Sequence, residues 1–349
     1  MRSPKVSVIM SVYNGENFLE EAVRSILNQT FSDYEFIIIN DGSTDRTPQI
    51  LASFDDPRLV IVNQDNRGLT ISLNRGIRLA QGEYIARMDA DDISEPERLE
   101  RQAEVLDHEP DVAVVACWYK VIDEKGEVLA HRRLPDDSKQ LAKLLPHKNM
   151  LCHGSVLMRK KATEIVGLYN ENLRYAQDYE LWLRMLHKGF VFSVVPEFLY
   201  RHRISPDSVA KLYLQRRYAA LIRKAEGKGL RDLASLDVGK YSLNRLTEKR
   251  KLSLYHYAIG TLKLENGQTK AAQRELLEGI RIDPTNLRPW YRIGLSLLPK
   301  WLRSLISNSA RYSVDLSAWV KGRCCLLYTS DAADEGLGVA LGGRRIIKK

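Results

Sequence analysis

Long apolar runs are missing from this chain, and so is a cysteine framework. No stretch of its 349 residues approaches the roughly 20 consecutive apolar positions that a membrane-spanning helix needs. The four cysteines, Cys117, Cys152, Cys324 and Cys325, form no Cys-x-x-Cys pair and no zinc-type array. Neither disulfide staples nor a structural zinc is therefore expected, and a reducing compartment is the default. A Gly-x-Gly-x-x-Gly fingerprint is also lacking. After the first apolar run the text is Tyr13-Asn14-Gly15-Glu16-Asn17, with one glycine and no cation. A dinucleotide oxidoreductase is disfavoured, as is a nucleotidyltransferase, which would carry a Gly-rich, cation-bearing phosphate loop here. No charged-then-apolar leader precedes Val6, so the chain reads as one without a signal peptide, placed in the cytoplasm.

Acidic character is scarce in one half only. Residues 211–323 carry 23 basic and 9 acidic side chains, whereas the first 210 have a net charge of −6 within a chain of +9. A basic half can face an anionic lipid surface, an acidic glycan or nucleic acid, or simply be a solvated helical surface. Anionic membrane is the partner expected of it, and no nucleic acid is.

The first hundred residues alternate between two periods. Val6–Val12, Glu35–Asn40, Leu59–Asn63 and Glu83–Met88 are short apolar runs of strand length. Amphipathic stretches of helical length separate them, at Phe18–Gln29, Thr44–Phe54 and Gly68–Ala80. Continuous apolar strands alternating with helices predict a parallel sheet covered on both faces. Ligands on such sheets bind at the carboxyl ends of the strands. Tyr13 and Asn14 follow the first strand, Asn40, Asp41 and Gly42 the second, and Asp89, Asp91 and Asp92 the fourth. Beyond residue 100, strands are expected at Asp111–Tyr119, Ser155–Arg159 and Phe190–Val195, and helices at Asp178–Lys188 and Leu212–Gly227.

Asp89-Ala90-Asp91-Asp92 puts carboxylates at i and i+2, on one side of an extended strand as it ends. Such a pair suits a hard divalent cation, Mg²⁺ or Mn²⁺, whose shell is completed by substrate phosphate oxygens. Asp41, at the end of another strand, can accept a nucleobase N–H. Arg67, Asn74 and Arg75 lie between the two acidic motifs, where a cation could neutralise diphosphate, although a solvated helix face explains the arginines as well. Asp178 opens a helical period in Gln177-Asp178-Tyr179-Glu180-Leu181-Trp182. Spacing alone leaves it open between a helix cap and a general base.

Taken together, Val8-Ile9-Met10-Ser11-Val12-Tyr13-Asn14-Gly15, Asn40-Asp41-Gly42-Ser43-Thr44-Asp45, Asn66-Arg67-Gly68-Leu69, Arg87-Met88-Asp89-Ala90-Asp91-Asp92 and Gln177-Asp178-Tyr179-Glu180-Leu181-Trp182-Leu183-Arg184 resemble a family 2 glycosyltransferase over about residues 4–210. The resemblance implies an α/β GT-A fold, a nucleotide-diphospho-sugar transferase type of Rossmann-like, mostly parallel sheet. It implies inverting transfer from a UDP-sugar to an acceptor hydroxyl, in bacterial surface polysaccharide biosynthesis (O-antigen, capsule or exopolysaccharide on a lipid carrier). Nucleotide-sugar contacts are implied at Val12, Tyr13, Asn14, Asp41, Arg67, Asn74, Asp89 and Ala90. The metal, Mn²⁺ or Mg²⁺, falls to Asp91 with Asp89, and Asp178 becomes the catalytic base. His153, Gln177, Trp182 and His202 fall on the acceptor side. Two departures stand out. Gln177 replaces a common Glu, and the late His of relatives falls on Ser205, which leaves His202 as its possible substitute. The rival reading is a non-catalytic nucleotide-sugar-binding or helical-repeat interaction protein.

After the catalytic unit, 1–210, a basic helical extension is expected over 211–323. Within it, residues 253–298 carry a tetratricopeptide-like pattern, with Gly260 and Gly294 one 34-residue period apart. Pro299–Tyr312 reads as a basic amphipathic helix with Trp301, suited either to a membrane surface or to packing on its neighbours. The tail 324–349 breaks all patterns and reads as an artefactual or disordered extension.

Overall fold

The structure is a computed structural model that describes residues 3–226 and 246–298. Nine strands form one sheet among these residues. They are β1 (Val6–Val12), β2 (Tyr34–Asp41), β3 (Leu59–Gln64), β4 (Tyr84–Asp89), β5 (Ile93–Ser94), β6 (Val112–Ile122), β7 (Val128–Arg132), β8 (Leu157–Arg159) and β9 (Val191–Arg203). Their spatial order is β3-β2-β1-β4-β8-β6-β9-β5, with β7 paired to β6. The half formed by β3, β2, β1 and β4 is wholly parallel. In the other half only β6 and β9 run parallel, while β4 with β8, β6 with β8, β6 with β7 and β5 with β9 are antiparallel.

Helices cover both faces because strand side chains alternate. Val6, Val8, Met10 and Val12 of β1 pack on one face with Leu19, Val23 and Ile26 of α1 (Leu19–Leu27), Leu51 of α2 (Thr47–Ala52) and Leu99 and Leu106 of α4 (Arg98–His108). Ile9 points the other way. It joins Leu73 and Ile77 of α3 (Leu69–Leu79), Leu141 of α5 (Ser138–Leu144) and Leu181, Trp182 and Met185 of α7 (Gln177–His187). A short helix α6 (Lys160–Val166) follows β8. β3 is read as a buried run in the sequence, but it is the edge strand, and Val60 and Ile61 are exposed there.

The expected catalytic boundary at residue 210 falls inside one continuous helix, α8 (Pro206–Glu226). Tyr218, Ala219 and Ile222 of α8 pack on Tyr179 and Leu183 of α7. Three further helices, α9 (Glu248–Glu265), α10 (Thr269–Ile282) and α11 (Leu287–Ser296), stack in chain order. α9 docks on the sheet's β6–β7 hairpin through Tyr255 and Ile259, against Val121, Leu129, Ala130 and Ile204. A Cβ on Gly260 would meet Leu276 at 2.8 Å, so a small residue is required where α9 and α10 touch. Gly294, its counterpart in the repeat, has no such neighbour. No helix of the described residues is long and apolar enough to cross a membrane. The stretch Pro299–Tyr312 and the tail 324–349 lie outside the described residues.

Candidate active site

The loops after β1 and β2 form one body. The Asn14 amide donates to Ser43 Oγ at 3.0 Å, Asn14 Oδ1 accepts from the Thr44 amide at 2.8 Å, and the Gly15 amide donates to Thr47 Oγ1 at 2.9 Å. Asn14 takes a left-handed φ of 53° to do so, a region that Asn tolerates better than most residues. Val12 is buried beneath this loop and Tyr13 is exposed on it.

Asp41 is 2% exposed and already engaged. Its Oδ1 accepts from Gln64 Nε2 and the Arg67 amide, at 2.7 and 2.8 Å, and its Oδ2 accepts from the Gly68 amide at 2.8 Å. A carboxylate offers about four lone-pair positions, so the carboxylate expected to meet a base also fixes the 64–68 turn. Gly42 permits this with a φ of 76°, where any Cβ would lie 2.6 Å from the Asn66 amide nitrogen.

Asn74 departs from expectation. Its Nδ2 donates to the Tyr169 carbonyl and to Glu171 Oε1, both at 2.9 Å, and its Oδ1 accepts from the Tyr169 amide at 3.0 Å. It is buried, and it clamps the 169–171 segment onto α3 instead of facing a nucleotide. The Arg67 side chain is exposed, while Arg75 donates to Gln64 Oε1 at 2.7 Å.

At the end of β4, Arg87 and Asp89 lie two residues apart on one side of the strand and form an ion pair. Arg87 is almost wholly buried, and its Nε has no hydrogen-bond acceptor. Burial pushes the Asp89 carboxyl upward, but the charge and hydrogen bond of Arg87, with His153 and His202, together hold the group below the ordinary carboxylate range. Asp91 behaves oppositely. Burial, then Asp92 and Asp89, raise it, and no hydrogen bond or ion pair reaches its carboxylate among the described residues. Ala90, between them, is half-buried against the core.

The third aspartate ties β4 to β9. Asp92 is 1% exposed; Oδ1 accepts from the Arg203 amide at 2.7 Å and Oδ2 faces His202 Nδ1 at 3.3 Å. His202 thus stands with the β4 carboxylates. Burial would lower its pKa, but Asp92 and then Asp91 hold it up at about 9. Asp92, Cys152 and His202 bring one ligand atom each within 4.8 Å of one another, a softer set than Asp89 and Asp91 provide. Arg203 extends the same lock, donating to the Asp91, Asp123 and Glu124 carbonyls and pairing with Glu21.

His153 lies in a 3₁₀ turn, His153–Ser155, ahead of β8. Its Nε2 is 2.8 Å from the Tyr169 hydroxyl, and burial, with Arg87 nearby, pushes its pKa down to about 3, so the ring is neutral. The adjacent Gly154 has no room for a side chain. A Cβ there would lie 1.9 Å from the Tyr200 hydroxyl and 2.9 Å from Asp89 Oδ2. Trp182 is fully buried among Phe192 and His153 rather than open to an acceptor, and its Nε1 has no acceptor atom. Gln177 is also buried.

Asp178 occupies the first turn of α7, whose N-cap is Ala176 in a left-handed conformation, φ 54°. The capping role is therefore not its own. Burial raises its carboxyl above the ordinary range, against a 2.8 Å hydrogen bond from Asn149 Nδ2 and the charge of Arg87.

Comparison with known proteins now decides the family. Residues 7–167 match the family described as glycosyl transferase family 2. An uncharacterised glycosyltransferase of Methanocaldococcus jannaschii, MJ1057, is 34% identical over 58% of this chain and 72% of its own length. The putative glycosyltransferase EpsE of Bacillus subtilis is 38% identical over 59% of this chain and 75% of its own length. This chain belongs to glycosyltransferase family 2. Among solved structures, a mannosyltransferase of Pyrobaculum calidifontis, PcManGT, in complex with GDP-Man and Mn²⁺, superposes with a TM-score of 0.52 at 17% identity, covering 88% of each chain. The fold is accordingly that of the GT-A glycosyltransferases.

In this family 2 glycosyltransferase several site residues escape sequence reading. Arg87 carried a signal, since it sits at i−2 from Asp89 and so shares its side of the strand. Asn149, Tyr169 and Arg203 carried none, because their partners lie 16 to 182 residues away in sequence.

Proposed function

We propose that the enzyme moves a sugar, with inversion, from a nucleotide-sugar to a hydroxyl of a glycan or lipid-linked oligosaccharide, in bacterial surface polysaccharide synthesis. UDP is the first choice of nucleotide. Asp178 is the general base. Its carboxylate takes the acceptor proton as the acceptor oxygen attacks the anomeric carbon, opposite the departing nucleoside diphosphate. The carbon–oxygen bond to the diphosphate breaks in the same displacement. An α-linked donor then yields a β-glycoside without a covalent intermediate.

The observation that carries this reading is the Asp91 carboxylate. It stands at a strand end where burial and two other carboxylates raise its pKa; the His202 and Lys211 charges oppose them only in part, and no hydrogen bond or ion pair reaches it among the described residues. A hard divalent cation fits such an all-oxygen set, and Asp91 with the free oxygen of Asp89 would hold it. Bound there, Mn²⁺ or Mg²⁺ supplies charge stabilisation to the leaving diphosphate.

Calorimetry on the full chain with UDP, GDP and CDP, with and without Mn²⁺, tests the reading. Mn²⁺-dependent binding is expected, preferring UDP, with Asp91→Ala weakening it by roughly tenfold or more. GDP belongs in the panel because the Pyrobaculum neighbour holds GDP-Man on the same fold. A folded sample that binds no nucleotide overturns the proposal.

A further inference from the structure

Asn149 lies in the segment between α5 and the His153 turn, and no motif points to it. Its Nδ2 donates to Asp178 Oδ2 at 2.8 Å across 29 residues of sequence. Its Oδ1 is shut off from solvent and has no donor among the described residues. The assignment of the amide's two ends follows from chemistry, since a carboxylate accepts and must face the NH₂. A buried carbonyl oxygen without a donor costs stability, and an apolar side chain of similar size would avoid that cost. The position therefore keeps an amide for its donor end alone.

The rest of the surroundings leads the same way. Arg87 from β4 and Tyr169 from the loop ahead of α7 are the charged and titratable groups acting on or facing Asp178. Arg87 is already ion-paired to Asp89. Among side chains, Asn149 is thus the direct hydrogen-bond donor to this carboxylate. It occupies Oδ2, and the backbone amides of Asp178 and Tyr179 at the start of α7 add further hydrogen bonds to the carboxylate, fixing its orientation. Ala176, two residues before Asp178, is held in a left-handed conformation that non-glycine residues rarely adopt, as expected where the backbone is fixed for function.

We infer that Asn149 is the positioning residue of the general base, holding one oxygen of the Asp178 carboxylate so that the other meets the acceptor hydroxyl. The inference rests on Asp178 being that base. Asn149 also sets the proton affinity of the carboxylate. A hydrogen bond to the ionised form opposes the burial that raises it, so removing the bond moves the titration upward in pH.

The test is carboxyl ¹³C NMR of the full-length chain labelled at Asp, with the Asp178 signal assigned by its loss in Asp178→Asn. The Asp178 titration midpoint is expected to rise by about half a unit to one unit in Asn149→Ala. It should rise further in Asn149→Asp, which keeps the shape and adds a like charge. With a donor and acceptor pair in hand, kcat of Asn149→Ala should fall roughly tenfold. The acid limb should shift the same way and the KM for donor stay near wild type. If Asp178→Asn keeps full transfer, the base assignment itself fails. If Asp178→Asn is inactive while both Asn149 variants titrate and turn over like wild type, the Asn149 inference alone is overturned. Should Asn149→Ala fail to fold, the near-isosteric Asn149→Asp decides by the same readout.

Discussion

The active site and the α9–α11 extension treat their buried charges in opposite ways. In the site, burial raises Asp178 above the usual carboxylate range, Arg87 keeps an unsatisfied Nε, and Asn149 an unsatisfied Oδ1. Among the described residues the non-glycine residues with positive φ, Asn14, Leu168 and Ala176, all lie in segments that build the site. In the extension, Glu275 on α10 is met by His256 at 2.8 Å and Lys263 at 2.7 Å, both from α9. The His256 hydrogen bond, reinforced by Lys263 and only partly opposed by burial, lowers Glu275 to about 2. One carboxylate costs stability in its charged form and the other gains it. The contrast shows that the extension is braced for stability, whereas the catalytic surface carries strain that the rest of the sheet must offset.

Asp178→Asn should sharpen that contrast most. Loss of a general base lowers transfer by a factor of roughly 10²–10⁴. Nucleotide binding in the calorimeter should barely change, because the role proposed for Asp178 is on the acceptor hydroxyl. Stability should move the other way. A carboxyl whose folded pKa lies above its unfolded value opposes folding once pH exceeds the unfolded pKa, and the penalty is full above the folded pKa. Removing the charge should therefore raise the neutral-pH Tm by about 2–4 °C, on the order of 1 kcal/mol, read by calorimetric melting. A variant that keeps its transfer rate, or melts lower than wild type, contradicts the picture of a strained base.

How much of this was legible beforehand follows from where each partner lies. The expected β1, Val6–Val12, is the observed one, and β2 and β4 differ by a residue or so at their ends, because uninterrupted apolar runs bounded by Asn, Asp and Gly leave little choice. The polar residues that follow those strands are adjacent in sequence, so their clustering at one sheet edge follows from parallel pairing. The α7 side is different. Asn74 reads as a ligand contact but is spent on Tyr169, 95 residues away, and Asp92 reads as part of the acidic motif but serves Arg203, 111 residues away. Strand β7 and helices α4 to α6 are absent from the sequence reading, since short or interrupted apolar patterns beyond residue 95 set no clear period. Trp182 is expected on the acceptor side, yet the helix turns it inward onto Phe192. Side-chain pairing across long separations has no local signature, and that is where the site departs from expectation.

Gly154→Ala probes the junction between the two halves of the site with an intermediate effect. The added methyl would press on the buried Tyr200 ring and on Asp89, while Arg98 Nη1 still holds the Gly154 carbonyl at 2.6 Å and the Arg87 carbonyl at 3.1 Å. The turn cannot slide away without breaking those bonds. Overpacking of this kind costs about 1–3 kcal/mol. Transfer should fall with it, by about tenfold, because Asp89 and His153 move together. An unchanged melting curve and rate would mean that Tyr200 yields freely, and the claimed rigidity of this corner would be wrong.

Glu275→Gln should have the smallest effect, and none on transfer. The folded pKa of Glu275 is below its unfolded value, so its contribution is complete above the ordinary 4.5 and fades as pH falls toward about 2. Glutamine keeps the shape and loses the charge. At pH 7 the variant should be less stable by about 1 kcal/mol, the modest figure suited to a partly exposed pair, and chemical denaturation should show it. The difference from wild type should then shrink between pH 4.5 and about pH 2, where the wild-type carboxylate is itself being neutralised. Among the described residues α9 packs on α8, Ile204 and the β6–β7 hairpin, while Glu275 faces α9 alone, so a local loosening of α9 against α10 should leave kcat and donor KM unchanged. A fall in kcat from this distant substitution would show that the extension is coupled to the chemistry, and would end the division of labour drawn between the two regions.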